Sequence, residues 1–214
     1  MSRRIVVVSA GLGTPSTTKL LADRLADAVR VQISARGEGA EVTHLELRHL
    51  INDLAAMMTT GISSADLEAA FETLRAADGI VAVTPVFTAS YSGVFKLFFD
   101  AIDKDLLEGK PMLLAATAGT ARHSLVIDHA MRPLFAYLRA DIVPTGVFAA
   151  TDDFAGSDDL AGRIRRAADE LVVRVVAERG AVGGFKANEA DQSSGELRSP
   201  VGFAALLKGR TGTR

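Results

Sequence analysis

The chain has 214 residues, a formal net charge of −2 and no cysteine. That length suits one globular domain, and the balanced charge without any basic run argues against a nucleic-acid partner. Disulfides, thiolate metal sites and thiol redox relays are excluded, and no apolar stretch reaches the roughly 18 residues that span a bilayer, so a cytoplasmic enzyme or binding protein is expected, with no membrane partner.

The first expected element is a strand over residues 4–10, where R-R-I-V-V-V-S-A from Arg3 gives a β-branched apolar run suited to burial on both faces. It is too short for a signal peptide. The loop G-L-G-T-P-S-T-T-K follows at once, and an amphipathic helix is expected over residues 17–36. Backbone N–H groups at a helix start lack intrahelical partners and carry the positive end of the dipole, so this turn suits a phosphate. Ser16, Thr17 and Thr18 add three hydroxyls, which fits a terminal phosphate monoester. A P-loop would need Gly-Lys-Ser/Thr after its spacer, and a Rossmann fingerprint would have Gly where Ser16 stands. The same residues also fit a plain strand-to-helix turn with a hydroxyl cap.

Apolar runs then alternate with helical patterns. Further strands are expected over residues 41–47, 79–84, 111–117 and 142–149, and helices over 65–76, 91–103, 125–140 and 158–179. Ser63-Ser64-Ala65-Asp66 resembles a capping box, and Leu67, Ala70, Phe71 and Leu74 form one face of the helix it opens. Arg132-Pro133 inside a helical pattern implies a kink or a divided helix. Five such units imply an α/β three-layer sandwich, a five-stranded parallel sheet with helices on both faces. Ligands in such sheets sit beyond the carboxyl ends of the strands. Residues 1–180 read as this domain. The stretch 181–214, rich in Gly, Ser and charge around one apolar island, reads as a tail or an oligomerisation arm.

Two more loops should emerge at the same sheet end as the first. Residues 84–100 read T-P-V-F-T-A-S-Y-S-G-V-F-K-L-F-F-D, in which Pro85 removes a donor and Val86-Phe87 offers an apolar surface for something flat. The following helix is expected to bury Val94, Leu97 and Phe98, with Phe95 as a further candidate. Residues 116–123 read A-T-A-G-T-A-R-H, a Gly turn edged by hydroxyls. The three loops suit, in order, a phosphate, an apolar ring and the polar edge of that ring.

With A-T-A-G-T-A-R-H-S-L-V-I-D-H-A-M-R-P-L-F completing the third segment, the chain resembles the NADPH-dependent FMN reductase family of the flavodoxin-like fold, over roughly residues 3–150. The D-x-A-x-R-P-L spacing from Asp128 to Leu134 is most similar to the reductases that feed reduced FMN to two-component monooxygenases. The resemblance implies a strand order 2-1-3-4-5. It implies that Ser9, Ser16, Thr17 and Thr18, in the loop containing Gly11, hold the FMN phosphate. Pro85, Val86, Phe87 and Thr88, with Ser90, would line the isoalloxazine, and Gly119 and Thr120 would approach its other edge. Thr88 stands where many members carry Asn, Phe87 where many carry Tyr, and Ala118 where Gly is common. The substrates implied are FMN and NADPH or NADH, the partner a flavin-dependent monooxygenase, and the assembly a homodimer or homotetramer. Hydride transfer is carried by the cofactors, so no general acid or base is assigned.

The remaining polar residues read as surface groups or open questions. His44 and His49 fall in and just beyond the second strand, and Glu46 reads as a surface acid. His123 could touch the rings. His129 could be the inserted residue of a widened helical turn at a subunit contact, or an ordinary helical surface residue. Arg122 fits either a nicotinamide phosphate or solvent. No two histidines share metal-ligand spacing with a carboxylate, so no metal is expected. Lys96 and Asp100 read as an exposed i,i+4 pair. Two rival functions stay open: a quinone or azo-compound reductase with retained FMN, and a non-catalytic flavodoxin-like electron carrier or flavin-dependent regulator.

Overall fold

In a computed structural model, residues 2–156 and 158–176 are described. Strands β1 (Ser2–Ser9), β2 (Gly39–Glu46), β3 (Gly79–Phe87) and β5 (Pro111–Ala118) pair in parallel in the spatial order β2-β1-β3-β5. Their side chains alternate between two cores, as a sheet covered on both faces requires. Ile5, Val7, Val81, Val83, Leu113 and Ala115 pack with helices α1 (Thr17–Ala35) and α6 (Asp158–Val176). Val6, Val8, Ile80, Ala82, Met112 and Leu114 pack on the other face with α3 (Ala65–Arg75), α4 (Gly93–Ala101) and α5 (Arg132–Tyr137).

The parallel α/β sandwich is as expected, but among the described residues the sheet has seven strands rather than five, and its order is β2-β1-β3-β5 followed by β6 (Asp141–Ile142) rather than 2-1-3-4-5. Two local events cause the difference. The chain after β3 turns back as β4 (Ser90–Tyr91), antiparallel to β3, which adds a strand and shifts the count. The last expected strand divides into β6 (Asp141–Ile142) and β7 (Val147–Ala150), both paired with β5. Between them Pro144 has no N–H, and side chains capture the neighbouring polar groups. The Arg132 guanidinium donates to the Val143 carbonyl at 3.1 Å and to that of Pro144, while Glu170 accepts from the Thr145 N–H and hydroxyl, each at 2.7 Å. A backbone held by side chains in this way does not continue the ladder.

A helix that the sequence pattern did not reveal, α2 (Ile51–Thr60), follows β2. It buries only Leu54 and stops at Gly61, whose φ of 73° is left-handed. Helix α3 starts where expected, but one residue later than a Ser63–Asp66 capping box would place it. Ser64 is the cap, its Oγ accepting from the Leu67 N–H at 3.2 Å, and Leu67 has no side-chain acceptor to close a box. Leu67, Ala70, Phe71 and Leu74 are buried as expected. Helix α4 begins at Gly93 rather than Tyr91, because Ser90-Tyr91 is taken by β4 and Ser92 provides the cap. Its buried face is Phe95, Phe98 and Phe99, with Val94 and Leu97 only half-buried. Five large apolar side chains in nine residues cover more than one face, so Lys96 and Asp100 mark the outer side without fixing which apolar residues point fully inward. The expected tail 181–214, and the last expected turn of α6, lie outside the described residues.

Candidate functional site

The phosphate loop is a close-packed turn. Ser16 caps α1 from an extended backbone, and its Oγ accepts from the Lys19 N–H at 3.2 Å. A Cβ on Gly11 would lie 2.3 Å from Ser16 Oγ and 3.1 Å from Thr18 Cβ, so only glycine lets the strand exit pass beneath the cap. Ser9 and Gly11 are buried, Ser16 half-buried and Thr17 exposed. With Lys19 capped, the N–H groups of Thr17 and Thr18 in the first helical turn have no carbonyl of their own helix to bond and suit an anion. Thr18 plays a second role: its hydroxyl is buried and hydrogen-bonded to Thr117 Oγ1 at 2.8 Å. That bond joins the first turn of α1 to the end of β5, and so ties the first expected loop to the third.

The ring loop is a tight hairpin. β3 pairs with β1 only as far as Val83, opposite Ser9, and continues beside β5 to Pro85. Pro85 therefore falls where β3 has lost one neighbour and its missing N–H costs no ladder bond. Phe87 pairs with Ser90 across the two-residue turn Thr88-Ala89, whose φ values of 49° and 66° are both left-handed. Such a turn matches strand twist but favours Asn and Gly, and a β-branched Thr in it is strained. Beneath the turn, Thr84 Oγ1 accepts from the Ser92 N–H at 3.0 Å, and Ser92 Oγ accepts from the Phe95 N–H at 3.2 Å. The hairpin base is thus locked to the α4 cap. Pro85 is buried, Val86 and Ser90 half-buried, Thr88 exposed, and Phe87 keeps 48% of its surface in solvent. A ring stack under this lock supports the loop: Phe99 centroids lie 4.8 Å from both Phe95 and Phe135. On α4's outer side the Lys96–Asp100 pair forms as expected, and its hydrogen bond raises the Lys96 pKa above the ordinary lysine range.

Gly119 and Thr120 sit exposed just past β5 and lead into the short turn Ala121–His123. The chain then enters a widened π turn, Ile127–Met131, before α5. Arg132 N–H bonds to the Ile127 carbonyl five residues back, and Pro133 has no N–H with which to restore the usual register. His129 lies exposed within this turn. Gly146 accommodates it, since a Cβ there would meet Ile127 Cγ2 at 2.7 Å.

Strand register places Ser9 beside Val83, Thr84 beside Ala116 and Pro85 beside Thr117, so all three loops leave one edge of the sheet. Next to the phosphate loop, toward β2, lies a cleft of about 310 Å³ whose lining includes Gly11, Ser16, Lys19, Glu46 and Arg48. Among the described residues no cluster of three His, Asp or Glu is placed to hold a metal, and no helix is long and apolar enough to cross a membrane.

The family described as NADPH-dependent FMN reductase matches residues 3–155. The chain belongs to that family. It is 38% identical over 151 residues to the NADH-dependent FMN reductase SfnF of Pseudomonas putida, spanning 71% of this chain and 79% of that protein. Against the FMN reductase (NADPH) of Pseudomonas aeruginosa it is 37% identical over 172 residues, 78% of this chain and 89% of that one. Among solved structures, an oxidoreductase from Corynebacterium diphtheriae is 52% identical, with a TM-score of 0.80 over 83% of this chain and 98% of that chain.

Four residues of this FMN reductase family member shape the loops without having been singled out from sequence. Thr117 and Thr84 put hydroxyls near the carboxyl ends of β5 and β3, within segments already marked, and that is a readable signal. Ser92 is a helix cap in the same stretch. Arg48 had none: it reaches the loop from the turn after β2, 34 residues away in sequence. Glu46, read as a surface acid, is instead largely covered and flanked by Lys19 at 3.8 Å and Arg48 at 3.1 Å.

Proposed function

We propose that this chain is an NAD(P)H:FMN oxidoreductase that supplies reduced FMN to a flavin-dependent monooxygenase. The observation that carries the reading is the convergence of the three loops, joined through the Thr18–Thr117 hydrogen bond and the β1–β3–β5 register. The residues present fit FMN. The turn from Gly11 to Thr18 sets hydroxyls and unpaired first-turn N–H groups beside the cleft lined by Gly11, Ser16 and Lys19, the donor chemistry that a terminal phosphate needs. Pro85, Val86 and the exposed Phe87 offer an apolar wall for a flat ring, with Thr88 and Ser90 at its margin.

When bound, FMN supplies the acceptor, flavin N5, for hydride from nicotinamide C4. The protein's part is binding and orientation. Thr17 hydroxyl and the first-turn N–H groups hold the phosphate, and Ser16 keeps that turn in place through its cap. Ser9 lies under the phosphate turn. Gly119 and Thr120, exposed just past β5, would offer backbone N–H groups to the second ring edge, which would favour negative charge there. Thr18 serves through its N–H, its hydroxyl being committed to Thr117.

The half-exposed Phe87 and the lack of a bulky aromatic partner at Thr88 favour release of flavin over lasting retention, as a flavin supplier needs. We take residues 1–180 as the catalytic domain and a homodimer or homotetramer as the assembly, with the π turn around His129 at a subunit contact. The cytoplasm, where reduced nicotinamide nucleotides are available, is the expected compartment.

Steady-state oxidation of NADH and NADPH, with and without added FMN, tests the reading. Turnover should depend on FMN, and the protein should elute nearly colourless from gel filtration. Turnover indifferent to FMN and riboflavin would exclude it. Thr17→Ala should weaken FMN more than riboflavin, which has no phosphate to lose.

A further inference from the structure

Residues 12–15 form the exposed outer half of the phosphate loop. Thr14, in their midst, accepts a hydrogen bond at its Oγ1 from Arg48 Nη1 at 2.7 Å. Arg48 is itself well anchored. The residue before it, Leu47, is fully buried in the core, and Arg48 Nε lies 3.1 Å from Glu46 Oε2 and 3.2 Å from His49 Nε2. One guanidinium therefore spans from the carboxyl end of β2 to the middle of the loop. Its charge is matched by Glu46, and Lys19 is likewise committed, to Asp23 at 3.0 Å and Glu46 at 3.8 Å. Both cations are thus already engaged with carboxylates.

We propose that Arg48 is a positioning residue for the phosphate loop, fastening Thr14 to β2 so that the turn from Gly11 to Thr18 keeps the shape that grips a terminal phosphate. This rests on the phosphate reading given above and names the part that holds its site together. A planar fork with several fixed donors can bond Glu46 and Thr14 together, which an ammonium on a flexible stem does poorly.

The test is the dissociation constant of FMN and of riboflavin, read from quenching of flavin fluorescence, for the wild-type chain, Arg48→Ala, Arg48→Lys, Thr14→Val and the double variant R48A/T14V. Arg48→Ala should weaken FMN about tenfold and riboflavin by less than about twofold. Thr14→Val should do the same, and the double variant should be no worse than the poorer single one, since both remove one bond. Arg48→Lys should behave like Arg48→Ala. Innocuous Thr14→Val beside a damaging Arg48→Ala would mean direct phosphate contact and overturn the proposal. So would near-wild-type binding by Arg48→Lys, which would mean simple charge, or equal losses for both flavins, which would mean general disruption. Wild-type protein binding FMN and riboflavin equally well would instead remove the phosphate reading, and this inference with it.

Discussion

The two halves of the proposed flavin site are built in opposite ways. The phosphate loop obtains its shape from elsewhere: its helix start is bonded to β5 through Thr18 and Thr117, and its outer half to the turn after β2 through Arg48. The ring loop is nearly self-contained, a two-residue hairpin closed on itself by Thr84 and Ser92 over a stack of phenylalanines, with a strained Thr88 at its tip. Affinity at the first half therefore depends on residues remote in sequence. At the second it depends on one short segment and the core beneath. Under the proposed function, a supplier of reduced flavin would gain from this division, because the phosphate would be gripped firmly while the ring stayed easy to release.

The largest expected effect comes from breaking the ring side from below. Phe99→Ala should cost about 3–5 kcal/mol, because Phe99 is 2% exposed and packs edge-on against Phe95, Phe98 and Phe135. Denaturant unfolding measures it, and FMN and riboflavin should weaken together in whatever protein stays folded. A loss confined to FMN would contradict the separation of the two halves.

Breaking the phosphate side should be smaller and selective. Thr117→Val leaves the buried Thr18 hydroxyl without its partner, at about 1–3 kcal/mol in unfolding free energy, and should weaken FMN more than riboflavin. The double variant T18V/T117V should recover most of that stability, because no polar group is then left unpaired. A double variant as unstable as the single one would show that the hydroxyl pair is not what Thr117 contributes.

Relieving the strained tip sharpens the contrast in the other direction. Thr88→Asn should raise stability by about 1 kcal/mol in thermal or denaturant unfolding, since Asn tolerates the left-handed backbone found at φ 49°. The smallest effect lies away from both halves. The Arg3 hydrogen bond holds the Glu38 carboxyl below the ordinary glutamate pKa. Its contribution is present above that ordinary value and fades as pH falls through the lowered one. Arg3→Ala should therefore remove a small stabilisation at neutral pH, flatten the acid limb of the stability profile, and change little at pH well below the lowered value.

Much of the fold was legible because β-branched runs of four to six residues, separated by helical periodicity, have few alternatives to a buried parallel sheet. The serine cap that opens α3 was legible for the same local reason, though it falls at Ser64 without the reciprocal bond of a capping box. The strand count was not, since Ser90-Tyr91 and the Val143–Gly146 interruption depend on which backbone groups find side-chain partners across space. Helix α2 escaped notice although Ile51, Leu54, Ala55 and Met58 recur at helical spacing, because its start carries no side-chain cap and its run follows β2 after only a short turn. The site divides likewise: the three loops could be read as segments, whereas Thr18 turning its hydroxyl to Thr117, and Glu46 joining the loop's surroundings, could not.

What the chain's order of residues determined alone was local: an apolar strand, a glycine-hydroxyl turn, a proline-aromatic turn and a second glycine turn, each with its own chemistry. Which of them meet, and what braces them, was decided only by folding. Hydrogen bonds such as Thr18–Thr117 and Arg48–Thr14 join residues 99 and 34 positions apart, and side-chain partners at that separation leave no mark on local periodicity or propensity.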